Sequence, residues 1–139
     1  MSRERIRVHH TIRSPKIPEA LTLAVASDLH TGPFDDVMAD FRNADAILVP
    51  GDLVNRHRRQ YREAARFLRE APKAAPVFYS IGNHERKCAY REEWMRLVAE
   101  SDVILLPARM HPGMPCPLFC RPCWTVPRSG CRGKGCFHR

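Results

Sequence analysis

The stretch that decides the fold is residues 46–55, Ala-Ile-Leu-Val-Pro-Gly-Asp-Leu-Val-Asn. Its first four residues are an apolar run of strand length, which is typical of a strand buried on both faces of a sheet. Pro50 and Gly51 end that run, and Asp52 follows at once. The pattern predicts a buried strand with a carboxylate at its carboxyl end.

Two other stretches repeat this arrangement. The apolar run at residues 21–26 predicts another central strand, and the polar residues 27–30 (Ser-Asp-Leu-His) follow it. Residues 77–81 predict a further strand, and residues 82–85 (Gly-Asn-His-Glu) come directly after. Three predicted strands therefore end in polar clusters.

The rest of the readable sequence connects these strands. Apolar residues at helical spacing predict amphipathic helices within residues 34–44, 60–70 and 92–100, and residues 103–106 predict a fourth strand in the series. Alternation over residues 6–12 predicts a short edge strand before them. Helices alternating with strands predict an α/β fold, a layered sheet of mostly parallel strands flanked by helices.

The polar clusters predict a metal site. In an open parallel sheet the strand ends converge on one crevice, so these distant residues become neighbours. Asp28 and Asp52 offer carboxylate oxygens, Asn83 an amide oxygen, and His30 and His84 imidazole nitrogens. Mixed oxygen and nitrogen ligands suit manganese, iron or zinc.

Simpler explanations exist for the individual residues. Either aspartate alone would fit a turn or a helix cap, because aspartate makes the local hydrogen bonds that both require. The small residues Gly51 and Gly82, each directly before a candidate ligand, allow the backbone to turn sharply there. Three motifs in this order, each after a strand, favour the site.

These motifs are D-x-H at residues 28–30, G-D at residues 51–52 and G-N-H-E at residues 82–85. Together they resemble the calcineurin-like metallophosphoesterase superfamily over about residues 5–106. The resemblance implies two divalent ions at the strand ends. It also implies hydrolysis of a phosphomonoester, phosphodiester or pyrophosphate by a hydroxide held between the ions.

The same resemblance implies a role for each residue. Asp28 and His30 would bind the first ion, Asp52 would bridge both ions, and Asn83 would bind the second. His84 would be catalytic, donating a proton or a charged hydrogen bond to the leaving oxygen. Glu85 would fix neighbouring groups from outside the ligand set.

The family's later motifs are missing after Glu85. The family completes its site with histidines from later strands, in G-H-x-H-like motifs, and His111 and His138 do not stand in such a motif. We therefore expect residues 1–110 to be the N-terminal part of such a domain, with an incomplete second metal site and low activity. Self-association is expected as well, because a truncated sheet leaves apolar surface uncovered.

Residues 111–139 differ sharply in composition. They contain five Lys/Arg residues and no Asp or Glu, and they hold five of the six cysteines: Cys116, Cys120, Cys123, Cys131 and Cys136. We favour a product of a shifted reading frame. A zinc-binding element, disulfides and disorder are the alternatives.

The net charge of +8 lies partly in that tail, so it gives no strong case for nucleic acid. A second hypothesis is a non-catalytic remnant or binding protein whose basic tail binds zinc or nucleic acid. Residues 56–59 (Arg-His-Arg-Arg) fit a solvated helix start better than a phosphate contact. Without a transmembrane segment or an apolar leader, we expect a cytoplasmic protein acting on a phosphorylated small-molecule or lipid-linked substrate.

Overall fold

The computed structural model describes residues 5–57 and 59–106. Four strands form one parallel sheet in the order β1-β2-β3-β4. The strands are β1 (Leu23–Val25), β2 (Ala46–Val49), β3 (Val77–Tyr79) and β4 (Ile104–Leu105). The helices are α1 (Met38–Arg42, after a 3-10 turn at Asp35–Val37), α2 (Arg62–Ala74), α3 (Asn83–Lys87) and α4 (Arg91–Glu100).

The predicted fold class is confirmed. Each of the strands β1 to β3 is followed by helical residues before the next strand begins, and all three strand pairs are parallel. Right-handed crossovers between strands that lie in chain order put the connecting helices on the same face of the sheet. The α/β layers therefore consist of one sheet and one helical layer.

The core lies between the sheet and these helices. Ile47 pairs in register with Val77, and Val49 with Tyr79, so all four side chains share one face, and all are at most 2% exposed. Trp94 of α4 lies on this face, because its Nε1 donates a hydrogen bond to the Tyr79 hydroxyl at 3.1 Å.

The opposite face of the sheet is apolar and much less covered. Val25, Leu48, Phe78 and Ile104 share this face by register. Phe78 in the middle is buried, but Val25 is 65% exposed and Ile104 is 38% exposed. Both edges of this face therefore present apolar side chains to solvent.

Two strand predictions were wrong. Residues 21–26 were expected to form a central strand, but within residues 5–57 and 59–106 β1 is an edge strand, and its Leu23 is 45% exposed. An apolar run reports composition, not the number of neighbouring strands. Residues 6–12 form no strand in the described part of the chain, where Arg7 Nε instead donates to Asp40 Oδ2 at 2.8 Å beside α1.

The helix predictions differ from the structure only in detail. The helix expected at 60–70 begins at Arg62 and continues through Pro72 to Ala74. The short helix α3 at Asn83–Lys87 was missed. None of the helices within residues 5–57 and 59–106 has the length and apolar character needed to cross a membrane. The expectations for residues 111–139 lie outside the described residues.

Candidate metal centre

The loops that follow β1, β2 and β3 lie against one another. Backbone N–H groups of His30 and Thr31 donate to the carbonyls of Asp52 and Leu53, at 3.1 Å and 2.8 Å. The His84 N–H donates to Asp52 Oδ1 at 2.9 Å. The structure thus brings together the candidate residues from three separate strand ends.

A three-residue cluster of possible metal ligands lies at this junction. His30, Asp52 and His84 each offer one ligand atom, these atoms lie within 4.8 Å of one another, and all three residues are half-buried. The two imidazole rings have centroids 4.2 Å apart. This group could hold a metal ion.

Asp28 lies next to the cluster on its solvent side. Its Oδ1 is 3.5 Å from His30 Nε2, and its side chain is 65% exposed. Both residues have positive φ, so the turn of this loop, and not the alternation of an extended strand, brings the two side chains together. A cation between them would have one carboxylate oxygen and one imidazole nitrogen within reach.

Asn83 faces the carboxylate of Asp52. The terminal amide atom on that side lies 2.7 Å from Asp52 Oδ2 and 3.0 Å from Oδ1. With nitrogen in that position the amide donates to the carboxylate. If the Asn83 amide is turned by 180°, its oxygen takes that position instead. The amide oxygen and the Asp52 carboxylate then both face a position that a cation can share. The donor set therefore fits a divalent metal.

The two histidines make opposite hydrogen bonds. His30 Nδ1 donates to the Val54 carbonyl at 3.4 Å, which leaves the lone pair of Nε2 on the side of Asp28. His84 Nδ1 accepts from the Arg56 N–H at 3.2 Å, so in the neutral ring the proton is on Nε2. The cluster holds one ring suited to ligation and one suited to donation.

Glu85 fixes the loop that carries Asp52. The side chain is fully buried, and its carboxylate accepts hydrogen bonds from the N–H groups of Asp52, Leu53, Val54 and Gly82, between 2.6 Å and 3.1 Å. Four donors around one carboxylate join the loop after β2 to the start of α3. The motif identified this residue, but its four backbone partners could not be read from spacing.

The backbone at the junction adopts unusual conformations. Four residues without a glycine's freedom have positive φ: Asp28, His30, Thr31 and Asp52, between 46° and 64°. Such conformations are uncommon and collect at functional sites, where surrounding contacts hold them. All four belong to the loops that carry candidate ligands.

Glycine is required where these loops touch. Gly51 has φ 123°, and a Cβ on it would lie 2.6 Å from Gly82 Cα. A Cβ on Gly82 would lie 2.2 Å from Asp52 Oδ1. The glycines therefore allow the close approach of two backbones that sets the position of Asp52.

Two buried tyrosines, Tyr79 and Tyr90, lie next to the residues that position the site. Burial raises the pKa of Tyr79 far above its ordinary value, and the negative charge of Glu85 raises it further. Burial also raises the pKa of Tyr90 to about 12. The Tyr90 hydroxyl donates to the Asn55 carbonyl at 2.6 Å, which holds the end of the Asp52 loop.

Fold and site together define a class: an α/β protein with a candidate metal site at the carboxyl ends of parallel strands. The sequence model of the calcineurin-like phosphoesterase family matches residues 21–116, which is more than half of the chain. The chain belongs to this family, a family of metal-dependent phosphoesterases, and the resemblance expected from the motifs is confirmed. No protein with a curated description matches it.

Proposed function

We propose that this chain carries a phosphoester-hydrolysing site that acts with divalent manganese, iron or zinc. The reaction class is hydrolysis of a phosphomonoester, a phosphodiester or a pyrophosphate. The observation that carries the proposal is the pair of opposite histidine hydrogen bonds within the three-residue cluster. One ring presents a lone pair and the other a proton, which are the two things such a site needs.

Asp28, His30 and Asp52 would hold one ion, and Asp52 with Asn83 would face the second. The short distances from Asn83 to Asp52 and from Asp28 to His30 support this distribution. The ions, when bound, would supply a nucleophile derived from water and stabilise charge on the phosphoryl oxygens. The protein's contribution is to hold these ligand atoms on three strand-end loops that are joined to one another by hydrogen bonds.

His84 would act on the leaving group. Its Nδ1 accepts the Arg56 N–H, so the ring orientation is set and Nε2–H is directed away from that bond. A proton at this atom can be transferred to, or shared with, the oxygen that leaves phosphorus. We also propose that the second ion is held weakly, since only Asp52 and Asn83 face it among the described residues.

Variants of the two histidines test the proposal. We expect His30→Asn to weaken Mn²⁺ binding, measured by titration calorimetry. His84→Asn should leave Mn²⁺ binding nearly unchanged and lower hydrolysis of p-nitrophenyl phosphate by about 10²-fold or more. His10→Asn, on the exposed segment before β1, is the matched control and should change neither quantity.

Asp52→Asn provides the decisive loss of function. The amide keeps the shape of the side chain but removes the charge shared by both ions, so Mn²⁺ binding and hydrolysis should both be lost. Hydrolysis that persists at the wild-type rate in Asp52→Asn would show that the measured activity does not come from this site. A chain that binds no Mn²⁺ at all would contradict the metal assignment.

A further inference from the structure

A recess with a cationic lining lies beside the three-residue cluster. It has a volume of about 700 Å³ and lies between the loop after β2 and the helix α4. Four arginines line it: Arg56 and Arg59 from the loop, Arg91 and Arg96 from α4. We call it the arginine recess.

The arginine recess carries more positive than negative charge among the described residues, with four arginines against Glu92 and Glu93. Arg59 is paired with Glu93 at 2.8 Å, and that glutamate also accepts a hydrogen bond from Tyr61. The Tyr61 hydrogen bond and the Arg59 contact lower the pKa of Glu93, which keeps it ionised. Within the described residues, Arg56, Arg91 and Arg96 make no ion pair, and Glu92 is the remaining acidic residue of the lining.

The arginine recess adjoins the candidate metal centre. Its lining includes Arg56 and His57, and the Arg56 N–H donates to His84 Nδ1 at 3.2 Å. The ring of His57 lies 6.3 Å from that of His84, centroid to centroid. The recess and the cluster are therefore close enough for one substrate to contact both.

The chemistry of the lining selects the kind of group. Guanidinium groups bind phosphate oxygens through paired N–H donors, and several of them around one concavity favour a group with more than one negative charge. A neutral organic group would find few apolar side chains there.

We infer that the substrate carries a second phosphate, which binds in the arginine recess through Arg91 and Arg96. The inference rests on the proposed hydrolytic function, and it names the substrate class as diphosphates. Simple phosphomonoesters would use the cluster alone and bind less tightly. The two helix residues supply affinity and selectivity without touching the metal ligands.

Binding without metal separates the arginine recess from the metal site. The full chain is titrated with inorganic pyrophosphate in the presence of a chelator and at constant ionic strength, with orthophosphate as the comparison ligand. We expect pyrophosphate to bind more tightly than orthophosphate. Arg91→Gln and Arg96→Gln should each weaken pyrophosphate binding by about three- to fivefold, and the double variant by about tenfold.

Arg69→Gln is the matched control, because Arg69 is an exposed arginine of α2 that does not line the arginine recess. It should leave pyrophosphate binding unchanged. Wild-type affinity in the double variant would overturn the inference. Equal weakening by Arg69→Gln would also overturn it, since binding would then follow net charge alone.

Asp52→Asn distinguishes this inference from the proposed function. That variant should lose Mn²⁺ and keep binding pyrophosphate in chelator. If the wild-type chain binds no Mn²⁺ but the arginine variants still weaken pyrophosphate binding, the proposed hydrolysis fails and the anion site stands. If the wild-type chain binds Mn²⁺ but the arginine variants do not weaken pyrophosphate binding, the anion site is contradicted and the metal assignment stands.

Discussion

At the scale of single residues, the site depends on a few atoms whose partners are far apart in the chain. Asp52 receives a hydrogen bond from the backbone of His84, and its own backbone donates to Glu85, more than 30 positions away. A metal ligand is only useful when its position is fixed before the ion arrives. Glu85 provides that fixation through charge-assisted hydrogen bonds in a buried place.

Substitution of Glu85 tests this role. Glu85→Gln keeps the size but turns one acceptor oxygen into an NH₂ group that meets backbone N–H donors. We expect a loss of about 2–3 kcal/mol in the free energy of unfolding, measured by urea denaturation, together with weaker Mn²⁺ binding. Glu100→Gln at the end of α4, where the side chain is exposed, should cost less than about 0.5 kcal/mol. Equal stabilities of the two variants would argue against the role.

Ionisation of Tyr79 makes the free energy of unfolding depend on pH in the alkaline range. Its pKa in the folded protein is raised above the ordinary 10.0, first by burial and then by Glu85. For a raised pKa, the stabilisation is complete below the unfolded pKa of about 10 and is lost as the pH rises toward the folded pKa. We expect the free energy of unfolding to fall by up to about 1.4 kcal/mol per pH unit from this group.

The measurement compares wild type with Tyr79→Phe in urea denaturation at about pH 9 and about pH 11. The variant gives up the hydrogen bond from Trp94, so it starts from a lower stability. Its further loss between the two pH values should nevertheless be smaller. Parallel losses in the two proteins would show that Tyr79 is not the group that titrates.

Sequence reasoning located the candidate ligands because each follows a strand, and strand ends of a parallel sheet must converge. It did not find the contribution of Arg91 and Arg96. These residues reach the arginine recess only because α4 packs through Trp94 onto β3, which depends on side chains distant in sequence. Proximity that arises from packing has no local pattern to reveal it.

At the scale of secondary-structure elements, period and composition predicted the strands and helices between residues 21 and 106 well. The exceptions are the missed helix α3 and the place of β1 in the sheet. The apolar run at residues 21–26 resembles that of β2, yet β2 has a strand on each side and β1 has one. Strand order is set by tertiary pairing, which a run of Leu, Ala and Val does not encode.

The α2 helix packs on α1 and on the segment before it through one aromatic residue. Phe67 is fully buried and makes edge contacts with the rings of Phe34 and Phe41, whose centroids are 5.2 Å and 5.8 Å away. Phe67→Ala should lower the free energy of unfolding by about 3–5 kcal/mol, because it removes a large apolar group and leaves a cavity. Thermal unfolding followed by circular dichroism would measure it.

Arg69→Ala, two positions along the same helix and exposed, is the control for Phe67→Ala and should shift stability by less than about 0.5 kcal/mol. The comparison separates packing from helix propensity, since both variants introduce alanine into α2. A loss below about 1 kcal/mol for Phe67→Ala would mean that α2 is not anchored through this ring.

At the scale of the whole molecule, the site and the uncovered sheet face follow from the same topology. Strands in chain order with right-handed crossovers put the helices on one face, and the strand-end loops come together at one edge of the layers. The same arrangement leaves the opposite face of the sheet without helices, and Val25 and Ile104 remain exposed at its two edges. Leu23 extends the apolar surface along β1.

This face should cause the protein to associate with itself. Contiguous exposed apolar surface beside an open strand edge favours contact between copies, because burial of that surface releases water. We expect the average mass in sedimentation to rise with protein concentration. Val25→Lys places a charge at the carboxyl end of β1, on the exposed apolar face, and should shift association to higher concentration. Ala39→Lys, on the exposed side of α1, adds the same charge and should not. A wild-type mass that stays monomeric across the concentration range would mean that the face is protected, and the association argument would fail.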